Sequence, residues 1–338
     1  MKRTPSRPVA SVVRARVPVS IANMGPGFDV HSIALQSPEI EVELSIAPGD
    51  SRTIQIEGRY AEEVTTDPKL NAGGKALNAM REQFGKPEGY ALKIEVNIPP
   101  RKGLGLSGAE AVGAVFCANR MLNLGLEGKA IAHLAARAEP ENHMDNVSAS
   151  ALGGFNIVTR TPLKEDANIT TIRPPQDLGV AVLVPNIEKV STEATRQLLP
   201  SNISRQKYVE SIGYVSQISA AFATGNVDSI LEALPWDSVI EFARAEGGAY
   251  GKGIDAQLLQ EEKRLLLEKF HVAETISGAG PSRALWYSIS EERKMRRKHK
   301  MSLIKSAIGL VTSRLESLGY SVHEVFLTKP STKGATII

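Results

Sequence analysis

The stretch PPRKGLGLSGAE, residues 99–110, places three glycines and one serine between a strand-like run and a helix-like run. Glycine has no Cβ, so Gly103, Gly105 and Gly108 allow positive φ angles and let backbone N–H groups close around a ligand. A helix that begins near Ser107 would add its unpaired N–H groups and the positive end of its dipole. The stretch therefore predicts an anion-binding turn, and a phosphate group fits it.

Three interpretations of these glycines compete: a plain strand-to-helix turn, the dinucleotide fingerprint G-x-G-x-x-G and a triphosphate loop. A dinucleotide fold requires a second parallel strand about 20 residues beyond the glycines, with an acidic residue at its end. Residues 126–154 instead continue the helical pattern, which removes most of the support for that fold. A Walker A loop is absent because each Gly-Lys pair is followed by Ala, Pro or Gly. A triphosphate loop of another class is favoured.

The elements around the loop predict an α+β protein. Strands are predicted over residues 9–20, 91–100, 177–185, 284–289 and 321–327, and helices over 70–85, 107–125, 191–199, 204–224 and 302–319. The segments 39–47 and 53–58 predict a hairpin or meander. A length of 338 residues predicts two domains, 1–175 and 176–338, with the boundary near Pro174 and Pro175.

Composition narrows the function classes. A hydrophobic fraction of 42% and a charged fraction of 23% indicate a globular enzyme, and a net charge of +3 is too small to indicate a nucleic-acid partner. The basic run Arg293–Lys300 predicts a solvated face or a loop before a helix. Cys117 is the only cysteine, so we expect a core role for it, no internal disulfide and a cytoplasmic protein. Arg14, Arg16 and Pro18 interrupt the first apolar run, so we expect no membrane partner.

Four segments in order resemble the GHMP kinase family, and most closely its homoserine kinase branch. They are IANMGPGFD (21–29), PPRKGLGLSGAEA (99–111), HMDNVSASALGGF (143–155) and ISGAGPS (276–282). The resemblance implies a domain like ribosomal protein S5 domain 2 followed by a ferredoxin-like domain, with the site between them. It implies Mg²⁺-dependent transfer of the γ-phosphoryl group of ATP to the side-chain hydroxyl of L-homoserine, a step of threonine synthesis. We also expect a homodimer.

The resemblance also implies residue roles. ATP would contact Pro99, Lys102, Gly103, Leu104, Gly105, Leu106, Ser107 and Gly108, and Mg²⁺ would be bound by Ser107 and Glu139, with Glu110 and Glu141 as other candidates. The acceptor would contact Asn23, Asp29, His143, Thr192, Arg196, Arg244 and Gly278. Asp29 would pair with the α-ammonium group, and the two arginines would bind the α-carboxylate, which a planar guanidinium group can grip with two hydrogen bonds. Asn146 would orient the hydroxyl, and Asp145 is the weaker candidate for a base.

Ordinary structural roles compete with several of these assignments. Asp29 could cap a helix that begins at Val30, and surface ion pairs are the common role of arginines. Leu106 stands where the family usually has a serine, so the loop lacks one hydroxyl. The alternatives are a kinase for mevalonate or a phosphomevalonate, whose acceptors have no ammonium group for Asp29, a nucleotide-binding regulator without turnover, and a nucleic-acid binder that uses Arg293–Lys300.

Overall fold

The computed structural model describes residues 10–162, 166–188 and 192–338. Within them the strands are β1 (Val12–Ala22), β2 (His31–Ile46), β3 (Arg52–Glu57), β4 (Tyr90–Glu95), β5 (Phe155–Thr159), β6 (Asn168–Ile172), β7 (Leu178–Pro185), β8 (Ala273–Ile276), β9 (Arg283–Ser288), β10 (Val322–Thr328) and β11 (Thr336–Ile337). The helices are α1 (Ala72–Phe84), α2 (Leu106–Met121), α3 (Gly128–Ala136), α4 (Asp145–Leu152), α5 (Thr192–Gln197), α6 (Arg205–Thr224), α7 (Val227–Ala233), α8 (Ile240–Glu246), α9 (Ala256–Phe270), α10 (Ile289–His299) and α11 (Leu303–Ser317). The α+β prediction is confirmed.

The first sheet has the strand order β11-β1-β2-β4-β3, with β5 also paired to β2 and β6 paired to β5. Strand β1 of this sheet shows why apolar and charged residues alternate along the sequence. Val13, Ala15 and Val17 are buried, and the intervening Arg14 and Arg16 point outward, where they form ion pairs with glutamates of β2. This inward and outward alternation is the period-2 pattern of a strand with one buried face.

The predicted hairpin at residues 39–58 is wrong in its pairing. β3 pairs with β4 in parallel, and β4 lies between β3 and β2. Parallel neighbours need a crossover, and α1 provides it. The helix that follows β4 lies close to the sheet, because a Cβ on Gly113 would come within 2.5 Å of Val42. The continued helical pattern after the glycine loop is confirmed by α2, α3 and α4.

The second sheet is antiparallel throughout, in the order β10-β7-β9-β8. Strand β7 is buried along its whole length, since Val180, Val182 and Val184 face a core shared with the first sheet and Ala181 and Leu183 face a second core. Both faces of this sheet are therefore covered.

The chain crosses between the sheets twice. It passes from β6 to β7 through residues 173–177, and it returns after β10 so that β11 pairs with β1. The division at residue 175 stays a prediction. The basic run Arg293–Lys300 is exposed, as predicted for a solvated face, but most of it lies inside α10 rather than in a loop. No helix of the described residues is long and apolar enough to span a membrane.

Candidate active site

A cavity of about 410 Å³ lies where the glycine loop meets segments of the second half of the chain. Most of the residues predicted for the site line this one cavity. From the first half these are Asn23, Asp29, Pro99, Gly103, Leu104, Gly105, Leu106, Ser107, Gly108, Glu139, His143, Asp145 and Asn146, and from the second half Arg196, Arg244 and Gly278. Tertiary structure thus joins the loop and the polar residues predicted for the acceptor.

The glycine loop has the predicted backbone conformation at two of its three glycines, whereas Gly108 lies inside α2. Gly103 and Gly105 have φ angles of +79° and +66°, and α2 begins directly after them at Leu106. Glycine is also required by space, because a Cβ on Gly103 would lie 2.1 Å from the carbonyl oxygen of Ser277. The Ser277 hydroxyl donates a hydrogen bond to the Gly103 carbonyl at 2.7 Å. The first residues of α2 therefore line the cavity, and the turn before them is held in place by its contacts with Ser277.

The predicted metal ligands are neighbours in space. The Ser107 hydroxyl donates a hydrogen bond to the Glu139 carboxylate. A hydroxyl and a carboxylate are hard oxygen donors of the kind that Mg²⁺ prefers, and Mg²⁺ usually completes its shell with water and substrate phosphates. The pair fits such an ion.

The two other metal candidates have different surroundings. Glu110 is buried against Asn71, which donates to it at 3.2 Å; burial, together with repulsion from Glu139, raises the pKa of the Glu110 carboxyl to about 8. Glu141 lies 3.2 Å from Arg196 and forms an ion pair with it. These contacts, with an amide group and a guanidinium group, differ from the hydroxyl–carboxylate contact between Ser107 and Glu139.

In the part of the cavity wall predicted to receive the acceptor, Asp29 and Arg196 face each other. The Arg196 guanidinium lies 3.0 and 2.9 Å from the two carboxylate oxygens of Asp29, and His143 lies 3.7 Å from one of them. Burial alone would raise the pKa of Asp29, but hydrogen bonding from His143 and the charge of Arg196 outweigh it, so the pKa lies below its ordinary value. Asp29 has a φ of +56° and precedes a strand, so the alternative of a helix cap is wrong.

The second arginine is held by a loop from the second sheet. Arg244 is buried on α8 and donates to the carbonyl of Gly278 at 3.2 Å, and Asn23 donates to the same carbonyl at 2.8 Å. The Gly278 amide in turn donates to the carbonyl of Ala22 at 3.1 Å. The loop 277–282 is thereby tied to the end of β1 and to α8.

Asp145 and Asn146 begin α4 at the centre of the cavity. The Asn146 side-chain oxygen accepts from the Ser20 hydroxyl at 2.9 Å. Asp145 is buried, and burial and the nearby Asp29 charge raise the pKa of its carboxyl to about 6. Its Oδ1 accepts from the Asn146 amide at 2.8 Å.

Comparisons with known proteins agree with this geometry. The family description "GHMP kinases N terminal domain" matches residues 71–154. The homoserine kinase of Methanococcus vannielii is 30% identical over 274 residues, which cover 80% of this chain and 86% of the relative. The homoserine kinase of Thermoplasma acidophilum is 31% identical over 277 residues, covering 80% and 83% of the two chains. This chain belongs to the homoserine kinase family of GHMP kinases.

Solved structures show the same fold. The crystal structure of homoserine kinase from Cytophaga hutchinsonii superposes with a TM-score of 0.78 at 22% identity and covers 98% of this chain and 99% of its own. Mevalonate diphosphate decarboxylase from Staphylococcus aureus superposes with a TM-score of 0.69 at 16% identity, covering 97% and 98%. The GHMP kinase fold predicted from the four motifs is confirmed.

Two residues predicted for the site are not found in the cavity lining. One is Lys102, which makes a contact elsewhere, and the other is Thr192, whose side chain is not described. The Lys102 ammonium group donates to the carbonyl of Ile187 at 2.7 Å, so its visible role is to tie the glycine loop to the end of β7. The side chain of Thr192 lies outside the described residues.

Sequence reasoning missed several residues at this cavity, among them Phe28 and the lining residues of the segment 63–75, and it also missed Ser20 behind the cavity wall. The Phe28 ring lines the cavity and carries Arg196 and Arg244 near its face, with guanidinium carbons 5.3 and 5.2 Å from the ring centre. Guanidinium groups favour such positions over aromatic rings. Ser20 supports Asn146 from β1. Phe28 lies inside the quoted IANMGPGFD motif, which was a usable signal, whereas Ser20 carried none.

Proposed function

We propose that the chain transfers the γ-phosphoryl group of ATP to the side-chain hydroxyl of L-homoserine. The observation that carries this proposal is the charge arrangement of the cavity. Among the charged residues that line the cavity with the glycine loop, Asp29 pairs with Arg196, and the guanidinium groups of Arg196 and Arg244 both lie beside the Phe28 ring. An acceptor with one ammonium and one carboxylate group matches these charges, and mevalonate has no ammonium group.

Acceptor binding would use charges that are already paired. Asp29 is held ionised by its low pKa, and Arg196 compensates it. A zwitterion carries both signs, so it can enter between the partners without leaving either charge uncompensated. Arg244 would take the carboxylate with Arg196, since both lie over the Phe28 ring.

The nucleotide would bind at the phosphate end, which is the part of the cavity wall that the glycine loop forms. The amides of Gly103–Gly108 and the start of α2 would hydrogen-bond the phosphates. Ser107 and Glu139 would hold Mg²⁺, which when bound neutralises phosphate charge. The segment 63–75, which lines the cavity beyond Ser107, would receive the nucleoside.

The hydroxyl would be oriented at the start of α4. Asn146 is held by Ser20, which fixes the side chain that we assign to this orientation. Phosphoryl transfer through a loose transition state requires little early deprotonation, so positioning can supply much of the catalysis. Asp145, with its pKa raised to about 6, is the candidate base. We expect Asp145→Asn to retain measurable turnover if positioning dominates.

A coupled assay of ADP release tests the proposal. Mg-ATP is offered with L-homoserine, mevalonate, phosphomevalonate or no acceptor, and phosphorus NMR identifies the product. We expect turnover with L-homoserine and O-phosphohomoserine as the product. Preference for mevalonate or phosphomevalonate would assign another acceptor, and nucleotide binding without turnover would favour a regulator. The homodimer and the cytoplasmic location stay predictions, which light scattering and cell fractionation test.

A further inference from the structure

A buried ion pair lies behind the acceptor end of the cavity, outside its lining. Glu241 on α8 and Lys263 on α9 are in contact, and their side chains are only 4% and 1% exposed. The Lys263 ammonium group also donates to the carbonyl of Pro235 at 3.0 Å. The free Oε1 oxygen of the same glutamate accepts from the backbone amide of Ile276 at 2.9 Å. The pair therefore joins four segments: α8, α9, the residues before α8 and the end of β8.

These segments carry the groups assigned to the acceptor. Glu241 lies one helical turn before Arg244 on α8. The glutamate holds the amide of Ile276, and the arginine donates to the carbonyl of Gly278 two residues further on. The seven-residue helix α8 is therefore hydrogen-bonded to the chain on both sides of Ser277, where the loop 277–282 begins.

The start of α8 is fixed in the same way. Asp237 accepts hydrogen bonds from the amides of Val239, Ile240 and Glu241 at 2.9–3.0 Å. Lys263 holds the carbonyl of Pro235, two residues before this cap. A helix this short has little stability of its own, so its position depends on such tertiary contacts.

Stability alone is a weak reason for a buried ion pair, because desolvating two charges can offset their attraction. Geometry gives a better reason here. We propose that Glu241 and Lys263 are positioning residues, which hold Arg244 and Gly278 in the arrangement that receives the acceptor carboxylate. This inference rests on the proposed function, which assigns Arg244 to that carboxylate.

The test measures KM for L-homoserine, KM for ATP and kcat in Glu241→Gln and in the double variant Glu241→Met/Lys263→Met. The double variant removes both charges together, so it avoids a buried uncompensated charge and should fold even where the single change does not. We expect the acceptor KM to rise about tenfold in both variants, with the ATP KM changing less than about twofold. Thermal unfolding of each variant confirms that the assayed protein is folded.

Glu292→Gln provides the matched control. Glu292 is also buried, accepts a backbone amide from Ile304 at 3.2 Å and pairs with Arg296 at 2.6 Å, but it lies on α10 and does not line the cavity. We expect both KM values to stay at the wild-type level. If Glu241 has a purely structural role, both KM values in Glu241→Gln should stay at the wild-type level, as in the control. Only the apparent kcat would then fall, because less of the enzyme is folded. That result in folded variants would overturn the proposal.

A second measurement separates this inference from the proposed function. If the wild-type protein does not phosphorylate L-homoserine, the proposed function fails, and hydrogen exchange still tests the positioning role without any acceptor. We expect peptides covering residues 274–282 to exchange about tenfold faster in Glu241→Gln than in wild type, and no change in Glu292→Gln. Wild-type exchange rates in Glu241→Gln would overturn the positioning role.

Discussion

The two ends of the cavity are built in different ways. The phosphate end consists mainly of one continuous segment, Gly103–Gly108, and the groups that it offers are largely backbone amides. The acceptor end consists of charged and polar side chains from separate parts of the chain, from Asn23 to Gly278. One end depends on local backbone conformation, and the other depends on how distant elements pack.

This difference determines what holds each end in place. Backbone amides at a helix start are positioned by φ and ψ angles and need no partner charge to hold their place. Charged side chains are more stable with a partner of opposite sign, and at the acceptor end Asp29 and Arg196 compensate each other. We therefore expect the phosphate end to be preformed, and we expect a bound acceptor to replace the Asp29–Arg196 ion pair with ion pairs of its own.

The largest effect should come from Gly103→Ala. A Cβ there would lie 2.1 Å from the Ser277 carbonyl at a φ of +79°, so the loop must move and ATP-dependent turnover should fall at least about 100-fold. Gly85→Ala is the control, because it has a φ of +73° and open space around it. It should lose about 1 kcal/mol of stability and no activity. Equal activity in the two variants would show that the phosphate end is not rigid.

Arg244→Ala and Arg196→Ala should affect the other end. Each removes a guanidinium group from the acceptor carboxylate, so the acceptor KM should rise about 30- to 100-fold while the ATP KM stays within about twofold. Arg264→Ala, which removes an exposed arginine paired with Glu268, is the control. Steady-state kinetics with each substrate varied in turn make the measurement. Equal increases in both KM values would contradict the separation of the two ends.

Ser107→Ala tests the one side-chain hydroxyl assigned to the phosphate end. Loss of a predicted Mg²⁺ ligand should lower kcat about tenfold and weaken the use of Mg-ATP, with a smaller change in the acceptor KM. Ser107→Thr keeps the hydroxyl and should retain most of the activity. A titration of Mg²⁺ at fixed ATP makes the comparison. Normal turnover in Ser107→Ala would remove this residue from the metal site.

The last prediction concerns folding stability rather than turnover, at Glu110, a buried carboxyl that lines the cavity. Its pKa is about 8 in the folded protein and near 4.5 when exposed, so between these pH values the unfolded chain has released a proton that the folded protein retains. Folding stability therefore falls as the pH rises through this range. Glu110→Gln removes the effect, so its advantage over wild type should grow from pH 5 to pH 8, reaching roughly 1–4 kcal/mol.

Urea unfolding at pH 5 and pH 8 measures this difference. Glu62→Gln, at an exposed position, should show no such trend. An advantage of Glu110→Gln that does not change with pH would mean that the carboxyl is already ionised in the folded protein.

Several features followed from local pattern. The positive φ angles of the glycine loop, the helix after it and the helical continuation through α4 were predictable, because glycine spacing and 3.6-residue periodicity act over short distances. The motif resemblance predicted the fold and about half of the residues that line the cavity, but not Phe28 or the lining residues of the segment 63–75. The pairing of β3 was predicted wrongly, because adjacency in sequence favours a hairpin and only the crossover through α1 places this strand beside β4.

The sequence by itself determined the positive φ angles of Gly103 and Gly105, and it contains Asp29, Arg196 and Arg244, which the motif resemblance assigns to a zwitterion. Tertiary structure decided that Asp29 pairs with Arg196, that Phe28 lies beneath both arginines and that Lys102 turns away to Ile187. The physical reason is the distance along the chain over which each interaction acts. Steric limits on φ and ψ act within one residue of the chain, whereas the partner of a charge depends on which distant elements the two sheets and their shared core bring into contact.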